Sequence, residues 1–512
     1  MKSFIPLFSV SLVVGLLFAS SARAELDTAI FVDLDNRFAL PGKEGTAVNE
    51  IERLEYTGGV ASYYAADTYG AMLDFKLITS ATPDSSKVGS FLHDPNRLIA
   101  ELDSLYVEFF DVLEGVDIRI GRQIVEWGSA DMFNPTSTVN ALDLEDPLKF
   151  GKRVPNEMAS VTWNAPWTIE SAEGGLLFDE LTVTFLAVPV YRRSLLPRTA
   201  EAAFTDPALM DLQVSSGTLK LMSRLNDFFV QQKQGAIEYN LEEQGMDLAL
   251  ENMQLGATLS VNLFGVNFSA MYYKGFSDIV YADDISIDLK HEDSGKQEAA
   301  QNTMSKLDLS DPATVRNIEE NELVSGEIPE DLTVFTNVTS KNPAIHMLGA
   351  AMSTSLNALG GLGVWAEAAY FFHEDLKRHI QAGSESVIED IDTENAFLKV
   401  TLGMDYTIAK WWYVNAQYMY GFVDEFGSQR LNNYVVAVND FKLMADKILI
   451  RFVVMNQLED GSMVLFPQLT TTYWRNTELT VGAMAYVGDK LTKFGTPAAG
   501  PNLAIAKAKF SF

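Results

Sequence analysis

The 512-residue chain contains no cysteine. Disulfides and thiolate metal sites are therefore excluded, even in an oxidising compartment that would permit them. Histidine is scarce: His93, His291, His346, His373 and His379 are the five. His373-Glu374 opens like the zinc-protease helix motif, but the next histidine follows at six residues rather than four, so the two would not share a helical face. No Gly-x-Ser-x-Gly elbow occurs, and only His346 lies near an expected strand, where a Ser-His pair would have to form. These absences point away from an enzyme and from any cofactor. Positive charge is in deficit, with 38 Lys and Arg against 69 Asp and Glu, a net charge of −31. Nucleic-acid binding through phosphates, which needs a basic face, is excluded as well. After residue 24 no apolar run reaches the roughly 18 residues that a spanning helix needs.

Hydrophobic residues nevertheless make up 47% of the chain and aromatics 11%. The start reads as a secretory signal peptide over 1–24. Met1-Lys2 is positive, Phe4 to Ala19 is almost unbroken apolar, and Ala22-Arg23-Ala24 is a small-x-small cleavage site. The end alternates: Ala504, Ala506, Ala508, Phe510 and Phe512 share one face, Ile505, Lys507, Lys509 and Ser511 the other. An alternating strand that ends on an aromatic belongs to a transmembrane barrel, whose lipid and lumen faces alternate and whose rims carry aromatics.

The expected fold class is all-β: a transmembrane antiparallel β-barrel of about 18 strands, with 16 as the alternative count, and long extracellular loops. One barrel domain is expected over 25–512. Its short links, such as Leu113-Glu114-Gly115, Phe264-Gly265, Ala358-Leu359-Gly360, Ala409-Lys410, Ala445-Asp446 and Arg475-Asn476, fall on one side, taken as periplasmic. Trp412 and Phe422 are read as the aromatic tips of one strand. Three segments are too long for turns: 127–156, 191–248 and 277–341. Within 191–248, residues 219–230 have helical spacing. Residues 283–331 are densely acidic, with Asp283, Asp284, Asp288, Glu292, Asp293, Glu319, Glu320, Glu322 and Glu330. They read as a solvated loop or, alternatively, as a surface for divalent cations that bridge to lipopolysaccharide. The partners expected are outer-membrane lipids and lipopolysaccharide, together with the barrel-assembly machinery, which would engage the strand ending in Phe512.

The most specific segment holds Gly121-Arg122-Gln123, Glu126-Trp127-Gly128 and Asp131-Met132-Phe133-Asn134-Pro135. It resembles an uncharacterised family of bacterial outer-membrane barrels with a Gly-Arg-Gln…Trp-Gly…Asn-Pro segment. More loosely it is similar to alginate-export-type porins. The resemblance implies an eighteen-stranded, porin-like channel. The lumen predicted here mixes both signs of charge, so alginate is not carried over.

Read from its residues, 127–156 is long, punctuated by proline and charged. A loop of this kind can fold into a water-filled lumen. Arg122, Glu126, Asp131, Asn134 and Arg153 are its candidate constriction residues. Alternation alone sets Arg122 outward with Ile120 and Ile124, so it needs a bulge at Gly121 to turn inward, or it lies above the bilayer. Alternation assigns Lys76, Arg119, Lys399, Arg451, Lys507 and Lys509 to the lumen, with Asp74, Glu108, Asp117, Glu367 and Asp405. Glu108 is expected opposite Arg119, after a pairing of residues 110 and 117. The expected function is a passive porin-like channel for small polar or ionic solutes, or for export of a polar polymer. The alternatives are a non-conducting surface protein whose acidic loops bind a partner or lipopolysaccharide, and a transporter of lipids or hydrophobic compounds. The charged lumen set argues against the last.

Overall fold

The computed structural model describes residues 25–40, 51–81, 98–131, 133–144, 146, 147–149, 151–170, 176–195, 236–244, 249–290, 293–295, 297–298, 333–382, 385–392, 394–489, 492–496 and 499–512. The expected signal peptide, the helical pattern at 219–230, His93, His291 and most of the acidic run lie outside these residues.

Alternation produces the strands. In Gln254–Leu263, Gly256, Thr258 and Ser260 turn inward, while Leu255 and Leu259 stand outward, 40% and 45% exposed. One sheet joins nineteen strands; the two-residue Ile169–Glu170 only fringes it, which leaves an antiparallel cylinder of eighteen. It closes where the first strand, Glu25–Leu40, pairs with the last, Asn502–Ser511, from Phe31 with Ser511 to Leu40 with Asn502. Beyond that ladder the Phe512 N–H donates to the Ile30 carbonyl at 2.8 Å.

One end of the barrel carries tight links. Phe264-Gly265 joins Gln254–Leu263 to Val266–Phe276, both residues at positive φ (55° and 79°), the backbone that a two-residue hairpin turn requires. Trp411, Trp412 and Phe441 stack at this end, with Trp411 half exposed. Among the described residues no helix is long and apolar enough to cross a membrane, which says nothing of strands.

The other end holds long connections, and here two expectations fail. Part of the acidic run 283–331, expected as a solvated loop, is strand: Tyr281–Lys290 pairs with Thr333–Lys341. Ala236–Glu243, Leu376–Ala382 and Glu385–Asp392 complete a second, five-stranded sheet. Its apolar positions, Ile285, Val338 and Ile380, are fully buried, a strand pattern hidden among acids. Phe422, expected as an aromatic tip, instead turns inward. The strand Trp412–Tyr420 stops at Gly421, whose φ of +86° redirects the chain. Phe422 then packs on Phe133 and Tyr434, at 5.3 and 5.0 Å between ring centres.

Candidate functional site in the barrel lumen

Between Val116–Gln123 and Asn156–Asn164 the chain leaves the wall and crosses the lumen. Its first half docks on the far wall through Glu367 of Leu362–His373, which is buried. One oxygen of that carboxylate accepts the N–H groups of Ser129 and Ala130, both at 3.0 Å. The other accepts the Thr136 N–H at 2.9 Å and its hydroxyl at 2.6 Å. Converging backbone donors of this kind make a nest for an anion. Gly128 sits at φ +86° against this carboxylate, and a Cβ there would overlap it. Further along, Asn415 donates to Asp131 at 3.0 Å and Thr401 to the Phe133 carbonyl at 3.0 Å.

The second half returns to the wall formed by the early strands. Asp146 accepts both terminal nitrogens of Arg37, at 2.6 and 2.7 Å, and Arg53 at 3.3 Å. Lys149 reaches Glu55 at 2.5 Å, and Lys152 reaches Glu101 at 2.9 Å and Asp143 at 3.3 Å. Burial alone would raise the Asp146 carboxyl, but Arg37, Arg53 and Lys149 overcome it and hold it well below the usual carboxylate range. Burial would lower the Lys152 ammonium, and the facing acids raise it instead.

Two apolar clusters clamp the loop. On one side Trp127 and Val139 pack with Met158, Leu186, Met271 and Phe371. On the other Phe133 and Leu148 meet Tyr434, Val436, Val464, Met484 and Ile505. Both clusters use inward positions near the long-loop end, so two apolar patches line the lumen there beside the ion pairs of the early strands. The charges that alternation assigned to the lumen did not reveal this.

The structure divides the candidate residues. Glu108 and Arg119 pair as expected, at 2.8 Å, and Tyr63 donates to Glu108 at 2.5 Å. The ladder beyond them is irregular at 110–112, so the expected pairing of residues 110 and 117 gives way to an Asp111 N–H donating to the Asp117 side chain at 2.9 Å. Arg451 holds Asp440 with two bonds, 2.7 and 2.6 Å. Lys507 meets Asp35 at 2.9 Å, and Lys509 lies 5.4 Å from the Phe31 ring. Lys76 pairs with Asp103. Most wall cations thus have a neighbouring acid. Asp35, Arg37, Arg53, Glu55 and Asp440 were missed, although Asp33-x-Asp35-x-Arg37 shows the inward period of two.

Arg122 is a correction. No bulge forms at Gly121: the pairing on both sides is continuous from Gly121 to Arg122. Arg122 therefore stays on the outward face with Ile120, and its guanidinium meets Glu157 at 2.8 Å, which also holds Arg192. Arg153 and Asn134 hydrogen-bond within the loop and line the small cavity beneath it. Arg153 is buried and donates to the carbonyls of Ser137 and Asn140, at 2.6 and 2.8 Å. Asn134 donates to the Trp127 carbonyl and accepts the Ser137 N–H at 3.2 Å. Glu126 is exposed to the free lumen. Lys399 is buried beneath the loop and donates to the Phe422 carbonyl at 2.7 Å.

Lys399, Arg153, Glu425 and Asp278 line a small cavity of about 70 Å³ between loop and wall. Burial pushes the Asp278 carboxyl up to about 7, against the pull of Arg153 and Lys399. Below the loop the lumen is open, with adjoining cavities of about 430 and 480 Å³ that share Thr182, Ser260 and Ser269. His373 and Ser428 offer no hydrolytic pair: the imidazole, at 3.0 Å, and the hydroxyl, at 2.8 Å, both meet the Asp392 carboxylate rather than each other. Both His373 and His379 lie in strands, not His346 alone.

No protein family matches the sequence, and no curated protein does. Solved structures align with most of the chain at low similarity. One, titled for the asymmetric conductivity of engineered proteins, is 9% identical, covers 95% of this chain and 100% of its own, and has a TM-score of 0.37. A Salmonella typhi OmpF in complex with daunomycin is 10% identical over 95% of this chain and 97% of its own, with a TM-score of 0.35. A multiple mutant of the Rh. blastica porin is 10% identical over 95% and 100%, with a TM-score of 0.36.

Proposed function

We propose that the protein is a porin-like channel of the bacterial outer membrane for passive passage of small polar or ionic solutes, narrowed by residues 124–155. The observation that carries this reading is the crossing segment, bonded to Glu367 on one wall and to Arg37 and Arg53 on the other. Polar backbone is tolerated at that depth only where it meets protein or water. The same reading places the tight links in the periplasm and the five-stranded sheet outside. Recordings of the purified protein in a planar bilayer test it. Discrete ohmic steps are expected, and inserted, folded protein without steps would refute it.

A second reading, transport of a hydrophobic compound, is favoured by the apolar inward positions near the loop end, where Val453, Met455 and Phe466 are only partly buried. Uptake of a fatty acid into proteoliposomes, absent from protein-free vesicles, would favour it over the first.

A further inference from the structure

We propose that the lumen below the crossing loop is a binding vestibule for a neutral polyhydroxylated solute of sugar type. This inference rests on the channel reading. The two cavities there, about 430 and 480 Å³, fall in the range of small-molecule sites, roughly 300–1,000 Å³. They run together through shared walls, from the loop down to Asn164, Asn262 and Asn267 beside the tight links.

The chemistry of this wall differs from the rest of the lumen. Where the early and late strands carry ion pairs, the strands Asn156–Asn164, Leu176–Val188, Gln254–Leu263 and Val266–Phe276 turn hydroxyls inward. Thr162 and Thr184 touch at 3.0 Å, as do Ser260 and Ser269, with Thr182 and Thr258 between them on the same cavity wall. A hydroxyl rotates to donate or accept. Each such pair can therefore exchange its internal bond for one to a solute hydroxyl at little net cost. An ion in the middle of this space, away from Glu126 and Glu180 at its edges, would shed hydration beside charges that are already engaged.

The charged groups that border the cavities are mostly engaged: Glu108 holds Arg119, and Asp117 accepts Asn164 at 3.1 Å. Glu126 stands at the loop edge and Glu180 at the far rim. Phe110, only partly buried, adds an apolar border suited to the C–H face of a sugar ring.

The test is block of the potassium chloride current by sucrose in single-channel recordings, beside osmotic swelling of proteoliposomes in glucose, gluconate and glucosamine. Saturable block is expected, with glucose entering faster than either charged analogue. The variant Thr162→Val, Thr184→Val, Thr258→Val, its folding checked by heat-modifiable migration, should raise the half-blocking sucrose concentration by roughly tenfold, as expected for lost hydrogen bonds. A current that sucrose lowers only as bulk viscosity does, with entry ordered by size alone, overturns the vestibule and leaves the channel standing. A protein that carries neither ions nor sugars overturns both. Should the variant fail to insert, the wild-type titration and the swelling series decide.

Discussion

Replacing Glu367 by glutamine isolates what holds the loop in the lumen. The wild-type carboxylate accepts hydrogen bonds from Ser129, Ala130 and Thr136 through both oxygens. Glutamine keeps the volume but turns one oxygen into an N–H donor, so donor faces donor on one side of the nest. Should that side be the one facing Ser129 and Ala130, two bonds to a charged acceptor are lost, about 1.5–3 kcal/mol each. Even about 3 kcal/mol changes the docked-to-undocked ratio by roughly a hundredfold. The barrel ladder is untouched, because Glu367 pairs with Ala351 and Thr401 through its backbone. Single-channel recording is the assay, with Trp127 reporting burial by its fluorescence. Larger or strongly fluctuating openings and a red-shifted Trp127 component are expected. A variant with wild-type conductance, noise and emission would show that Glu367 does not hold the loop.

Asp146→Asn leaves Arg37 and Arg53 short of a buried counter-charge, and should cost about 3–5 kcal/mol, read as a lower melting temperature in detergent. Asp278 binds its proton more tightly in the fold, up to about 7 against a usual 3.8. Its contribution to stability therefore falls as pH rises from about 4 to about 7 and is flat above that, where the fold carries a disfavoured charge. Asp278→Asn should flatten that part of a pH series of melts and stabilise the protein at pH 8; an unchanged series would refute the assignment. With the wall charges largely paired, the net charge of −31 belongs mainly to the outer loops and should attract cations to the mouth. Reversal potentials should show mild cation selectivity near 0.01 M salt that fades by 1 M, where the screening length drops from about 30 to about 3 Å; strong anion selectivity at low salt would contradict this.

The barrel was legible because water inside and an apolar band outside impose a period of two on every strand. Gln254–Leu263 shows it residue by residue. The apolar patches of the lumen were not legible: in Asn433–Leu443, Tyr434, Val435, Val436 and Val438 are apolar on both faces, and only Phe133 and Phe422, folding inward from loops, tell which side they cover. The constriction segment was visible from its Asn134-Pro135 break and its length, and Glu108 with Arg119 from hairpin register. Its anchors were not, because Ser129 and Glu367 lie 238 residues apart and no local pattern links them. Alternation alone set Arg122 outward, and continuous pairing through Gly121 keeps it there, so only the bulge that would turn it into the pore is missing.

The most direct test of the account compares single-channel conductance of the full protein with a variant lacking residues 130–150. These residues carry the contacts to Glu367, Asn415 and Thr401 on one wall and to Arg37, Arg53 and Glu55 on the other. If they narrow the lumen, the deletion should conduct in clearly larger steps while still folding and inserting. Equal steps from a folded, inserted deletion would contradict the claim that this loop is the constriction.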